Sequence, residues 1–149
     1  MSFDPSSDYP LGTRRPDLVT TPGGTQLDAI TLGALRKGAI AADDLRATPE
    51  TLVRQASVAR AAGRPQLAEN LERAAELAAV PAEKILEIYT ALRPGRSSAA
   101  ELERWAELLE HEHGAPRTAA FVREAQRIYA ERGLLAEERT QAHERAGTV

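Results

Sequence analysis

Two histidines of this 149-residue chain sit almost side by side, in Glu110-His111-Glu112-His113-Gly114. A run of imidazoles and carboxylates invites a divalent-metal reading. Helical geometry argues against the metal. At roughly 100° per residue, side chains two apart point about 200° from one another, whereas helix-borne metal pairs use i, i+4 spacing. The run is read instead as a solvated helix end, where an imidazolium sits well beside the negative pole. His143 falls in a C-terminal tail with no evident partner. Carboxylates are numerous but interleaved with arginine, as in Glu69, Glu72, Arg73 and Glu76, or Glu101, Glu103, Arg104 and Glu107. At helical spacing such pairs support a helix by ~0.2–0.5 kcal/mol each. A general acid and base would need a cleft and displaced pKa values, of which the sequence carries no sign. The Gly23-Gly24 pair follows Pro22 with no strand before it, so it reads as a turn and not as a phosphate loop. The chain has no cysteine, which excludes disulfides, thiolate nucleophiles and sulfur-bound zinc. The expectation is a chain with no catalytic, cofactor-binding or metal-ligating residue.

One segment stands apart. In Ala91-Leu92-Arg93-Pro94-Gly95-Arg96-Ser97-Ser98 two arginines bracket a stiff break between helices. A solvated basic loop and a docking site for a partner's carboxylates or carbonyls are both open, since a guanidinium offers planar, multidentate donors.

The elements around these residues are helical. Residues 1–26 carry four prolines (Pro5, Pro10, Pro16, Pro22) and three glycines (Gly12, Gly23, Gly24) without apolar periodicity, and read as an extended arm. A helical domain is expected over 27–135, with five or six helices whose breaks carry glycine and proline where helix ends prefer them. A short helix is read from Leu27 to Arg36, with Ile30 and Leu35 inward and Gly38 closing it. The second opens with Thr48 as N-cap, Pro49 and Glu50, and runs through Leu52, Val53, Ala56 and Ala59 to Gly63. Pro65 opens a third, with Leu67, Leu71, Ala74 and Ala78 on one face. Pro81 starts a fourth bearing Ile85, Ile88, Tyr89 and Leu92. Ser98 and Glu101 have capping-box spacing for a fifth, with Leu102, Trp105, Leu108 and Leu109 as its stripe. Pro116 opens the last, with Phe121, Val122, Ala125, Ile128 and Tyr129 inward and Gly133 beyond. Nothing reads as a strand, and residues 136–149 read as a mobile tail.

Composition narrows the function classes. A chain of this length can bury a core, but only 4% of residues are aromatic and alanine supplies much of the 42% apolar fraction, so the core should be thin. A net charge of −3 gives no whole-chain attraction to nucleic acid or an anionic membrane. No apolar run approaches the roughly 20 residues of a membrane span, and the first residues lack the features of a secretory signal. A cytoplasmic protein is expected.

Several pieces stand in a fixed order along the chain: Asp8-Tyr9-Pro10-Leu11, then Thr48-Pro49-Glu50-Thr51-Leu52 leading to Gln55-Ala56, then Asn70 to Glu76 (NLERAAE), Val80-Pro81, Ile85 to Pro94 (ILEIYTALRP), Arg96-Ser97, and Ala119 to Glu124 (AAFVRE). Together they resemble the small subunit of adenosylcobalamin-dependent diol and glycerol dehydratases. The resemblance spans residues 8 to 135 in order. It implies an all-α accessory chain in a heterohexamer of two large, two medium and two small subunits. The large subunit would hold substrate and metal ion in a TIM barrel, and the cobalamin would lie between large and medium subunits. It also implies a radical dehydration of propane-1,2-diol, glycerol or ethane-1,2-diol to an aldehyde, with the hard chemistry belonging to the cofactor.

Two departures from the family stand out. Members of the diol dehydratase branch often carry a longer N-terminal extension associated with microcompartment packaging, whereas seven residues precede Asp8 here. Encapsulation through this chain is therefore not expected. Gly95 also stands where the family usually has an aromatic. Tyr9, Pro10, Leu11, Arg93, Pro94 and Arg96 are the candidate residues for contact with other subunits. Tyr9 and Leu11 flank a proline that restricts the arm, and a tyrosine is a frequent interface anchor. The competing readings are a free-standing helical interaction protein and a DNA-binding regulator using 48–63 and 65–79 as a helix-turn-helix. In the latter, Glu69, Glu72 and Glu76 on the second helix are poor chemistry against phosphates.

Overall fold

Thr48 and Ser98 start helices in the way their side chains dictate. The Thr48 hydroxyl accepts from the Thr51 amide at 3.3 Å, with Pro49 in the first helical position, where no amide is needed. Ser98 and Glu101 complete the capping box: the Ser98 hydroxyl accepts from the Glu101 amide (3.3 Å), and the Ser98 amide donates to the Glu101 carboxylate (2.9 Å). Both capping hydroxyl residues are buried. The protein's structure, a computed structural model, describes residues 3–137. His143 and nearly all of the 136–149 tail lie outside those residues.

Among the described residues there are seven helices and no strand. They are α1 (Leu11–Arg14), α2 (Leu32–Arg36), α3 (Pro49–Ala61), α4 (Pro65–Leu77), α5 (Ala82–Ala91), α6 (Ala99–His111) and α7 (Pro116–Arg132). The expected all-α class holds. No helix among the described residues is long and apolar enough to cross a membrane. The chain divides into two compact units, residues 1–80 and 81–149.

In the first unit α3 packs against α4 through a seam of small side chains: Ala56, Ala59 and Ala68, with Leu71 against them. The turn between these helices needs a left-handed residue, which Gly63 supplies at φ 70°. Around it the Arg64 amide reaches the Ala59 carbonyl (2.9 Å) and the Gly63 amide the Arg60 carbonyl (3.1 Å), a Schellman closure. Leu67, expected on the inner face of α4, is exposed, whereas Ala68 and Ala75 are buried. A close helix approach selects the small side chains. The expected helix over 27–36 is two pieces, a 3₁₀ turn at Leu27–Ala29 and α2. Thr31 breaks it by capping α2, accepting from the Ala34 amide at 3.1 Å, and Leu35 is exposed.

The arm 1–26, which showed no helical period, contains α1 and a 3₁₀ turn at Pro16–Leu18. Its carbonyl at Leu18 accepts from Arg54 of α3 at 2.7 Å. The Gly23-Gly24 segment is a turn: the Gly24 amide donates to Thr21 (2.9 Å), and the Thr21 hydroxyl reaches Asp44 (3.3 Å). The Asp44 carboxylate passes so close to Gly23 that a Cβ there would stand 2.8 Å from it.

In the second unit α6 packs on α7. Leu102, Ala106 and Leu109 of α6 meet a buried set of Ala115, Thr118, Ala119 and Val122 at the start of α7. Leu102, Leu109 and Val122 are the largest fully buried side chains among the described residues, so the core is as thin as the composition implied. Trp105 and Leu108 are only partly buried. Two residues expected inward face out: Phe121 is 45% exposed and Tyr89, on α5, 71% exposed.

Candidate subunit interface

Tyr9 ends the arm's first turn and leads through a cis peptide bond into Pro10, the N-terminal cap of α1. The Pro10 carbonyl accepts from the Thr13 and Arg14 amides (3.1 and 2.9 Å). Tyr9 and Pro10 are exposed, and the Tyr9 ring, 58% exposed, forms one wall of a hollow of about 530 Å³. Val58, Ala62, Leu67 and Leu71 of the α3–α4 hairpin supply its apolar lining, with Gln55 and Arg64 at its polar points. Leu11 differs: it is 5% exposed and packs within the chain itself. Its side chain braces the arm, which leaves Tyr9 as the exposed apolar group.

The arm is stiffened by charge. Arg15 donates to Asp8 (3.0 Å) and, through two nitrogens, to Asp17 (3.0 and 2.9 Å). The bidentate Arg15 contact holds the Asp17 carboxyl below its usual pKa range and raises that of the guanidinium.

Arg93, Pro94 and Arg96 are all exposed on the linker between α5 and α6. The Arg96 amide closes a turn on the Arg93 carbonyl at 3.1 Å, with Gly95 at φ 73°. That conformation suits glycine, and the space a Cβ would enter is open. Neither arginine forms an ion pair with a described residue. Arg96 also borders a shallow hollow with Leu86, Thr90, Ser97 and Trp105. The linker is held by more distant residues: the Tyr129 hydroxyl donates to the Leu92 carbonyl (2.6 Å), the Gly95 amide to Leu134 (2.8 Å), and the Ala136 amide to Ser97 (2.9 Å).

The two histidines part company at the helix end. His111 is the last residue of α6, whereas His113 lies beyond the C-cap Glu112, so opposed directions on a helix do not describe this pair. No group of three histidine, aspartate or glutamate side chains among the described residues could hold a metal ion.

Carboxylates that read in the sequence as helix support also work between helices. Arg60 of α3 reaches Glu72 of α4 (2.7 Å). Arg123 of α7 donates to both Glu103 (2.8 Å) and Glu110 (2.7 Å) of α6. The Arg123 contact holds the Glu110 carboxyl below its usual range. A carboxyl whose pKa is depressed by folding contributes stability above its unfolded pKa and loses it as pH falls through the folded one. Arg123→Met should therefore lower the urea midpoint at neutral pH, and the deficit should shrink as the solution is acidified through the carboxylate range. An equal deficit at both ends of the titration would show that the pair does not carry it.

Residues 5–136 match the family described as "Dehydratase small subunit". The chain is 52% identical over 129 residues to the propanediol dehydratase small subunit of Salmonella typhimurium, covering 87% of this chain and 75% of that protein. It is 51% identical, with the same coverage, to the propanediol dehydratase small subunit of Citrobacter freundii. The family match takes in Tyr9 to Leu11 and Arg93 to Arg96, the surfaces described above. This chain belongs to the dehydratase small-subunit family.

Proposed function

We propose that the chain is the non-catalytic small subunit of a diol dehydratase that converts a 1,2-diol (propane-1,2-diol, glycerol or ethane-1,2-diol) to an aldehyde and water. The observation that carries this reading is the 52% identity to a propanediol dehydratase small subunit over 87% of the chain. The surface supports an accessory role. Nine large apolar residues among those described are exposed, including Leu32, Leu45, Leu86 and Tyr89, while the core is built largely from alanine. A chain that leaves large side chains out and small ones in suits attachment to other subunits.

In this reading two small chains join two large and two medium chains, and adenosylcobalamin, which supplies the radical chemistry, is held by those partners. Neither of the two hollows described above offers the donor set of a cobalt or other metal site: the one beside Tyr9 is lined mainly by apolar side chains, with a glutamine and an arginine among its polar points, and the one beside Arg96 carries one carboxylate, Glu87, and no histidine. What this chain's residues do is bind: Tyr9 and Pro10 dock from the arm, with Leu11 bracing them from inside, and Arg93, Pro94 and Arg96 meet carboxylates or carbonyls of a partner.

The test is coexpression with the genes of the two larger subunits. The chain should copurify with both in a complex that forms aldehyde from a diol when given adenosylcobalamin, and should be inactive alone. Diol turnover by the isolated chain, undiminished after removal of trace large subunit, would refute the non-catalytic assignment. Failure to copurify would refute the assembly.

A further inference from the structure

The linker between α5 and α6 is fastened at four places, all by one stretch of chain. Its Leu92 carbonyl accepts from the Tyr129 hydroxyl at 2.6 Å, and its Gly95 amide donates to the Leu134 carbonyl at 2.8 Å. The Ser97 carbonyl accepts from the Ala136 amide at 2.9 Å, and the Ala99 carbonyl, where α6 begins, accepts from the Gln126 side chain at 2.8 Å. An exposed linker ordinarily bonds its backbone to water. Here one run from Gln126 to Ala136 takes that place, alternating with the exposed residues: Arg93, Pro94 and Arg96 are the linker positions whose side chains stay outside.

We propose that the end of α7 and the segment Leu134–Ala136 form a clamp that sets the shape in which Arg93 and Arg96 meet the carboxylates of another dehydratase subunit, with Tyr129 and Ala136 as its positioning residues. This rests on the reading of the arginine turn as a docking site. Pro94 fixes one torsion of the turn, and the Arg96 amide on the Arg93 carbonyl closes it. Nothing in that turn alone fixes its direction relative to α5 and α6; the four outer bonds do. A guanidinium pair engages carboxylates well only in a defined plane, and a loop already held loses less entropy on docking.

The clamp can be loosened without touching the arginines. Tyr129→Phe keeps the ring and removes the donor to Leu92. Ala136→Pro removes the amide that bonds Ser97. Both should be compared with the parent and with Arg93→Ala/Arg96→Ala in the full-length chain, alone by amide exchange over residues 92–98 and in the coexpressed complex by subunit retention on gel filtration. The expected result is exchange faster by about 2- to 10-fold, the scale of one net hydrogen bond, with unchanged helix content. Retention should fall in the clamp variants but not fall further when they are combined with the arginine variant, as for groups acting through one another. Unchanged exchange would overturn the clamp. Faster exchange with unchanged retention, or with equal further losses in the arginine-free background, would overturn its positioning role. If Arg93→Ala/Arg96→Ala itself leaves retention intact, the docking reading fails and takes the positioning role with it, while the exchange result still shows whether the linker is clamped.

Discussion

Leu109→Ala should destabilise the α6–α7 pair by about 2–5 kcal/mol, the range for a buried leucine cut to alanine. Leu109 is fully buried, and only Leu102 and Val122 share that status among the large side chains described. The other buried residues of the interface are Ala106, Ala115, Thr118 and Ala119, small side chains that contribute little area each and cannot swing into the gap. A core with so few large residues has little with which to fill the cavity. Trp105 is the chain's one tryptophan and sits a turn before Leu109 on the same helix, so its fluorescence follows this pair during urea unfolding. A midpoint equal to that of the parent would mean that the helices are held by something other than their apolar seam.

The parts of this fold that are legible in the sequence are those decided by neighbours in the chain. Thr48-Pro49 and Ser98-Glu101 specify helix starts through bonds spanning three residues, and the structure forms both. Burial is less legible, because it depends on the partner helix. Spacing alone favours Leu67, Leu71, Ala74 and Ala78 as the face of α4. The close contact with α3 takes Leu71 from that set but pairs it with Ala68, while Leu67 stays exposed and Ala75 is buried; spacing cannot distinguish either alanine from a surface one. Phe121 and Tyr89 fail for a related reason: apolar character puts them inside if the chain is all there is. Thr31 is a missed local signal, since a threonine after Ile30 is a good N-cap and marks the break between the 3₁₀ turn and α2.

The candidate interface divides along the same line. The arginine turn is visible in sequence because Pro94 and Gly95 interrupt a helical pattern, and Arg93 and Arg96 are exposed as a docking loop requires. The bonds that hold it come from Leu134 and Ala136, about forty positions away, and no spacing rule connects those residues to Gly95 and Ser97. Leu11 could not be separated from Tyr9 in the sequence, where both are apolar residues beside one proline. The structure separates them by burial.

That separation makes the two residues respond differently to truncation. Leu11→Ala should act on the isolated chain. The side chain is buried, so its loss should weaken the packing of α1 by up to about 2–5 kcal/mol, seen as faster amide exchange over residues 8–19. Tyr9→Ala should leave that exchange nearly as in the parent, because most of the ring already faces solvent. Its effect belongs to the complex: an aromatic anchor that becomes buried on docking costs ~2–4 kcal/mol when truncated, a loss of roughly 30- to 1000-fold in affinity for the other subunits. Asp8, on the near side of Tyr9, is tied to Arg15, and the Leu18 carbonyl, further along, to Arg54. The ring is therefore presented by an arm that is ordered before any partner arrives, which favours binding by lowering its entropic cost. Titration of both variants against the larger subunits separates the roles. Affinity lost in Leu11→Ala but kept in Tyr9→Ala would show that the order of the arm matters and its exposed ring does not, and affinity kept in both would remove the arm from the interface.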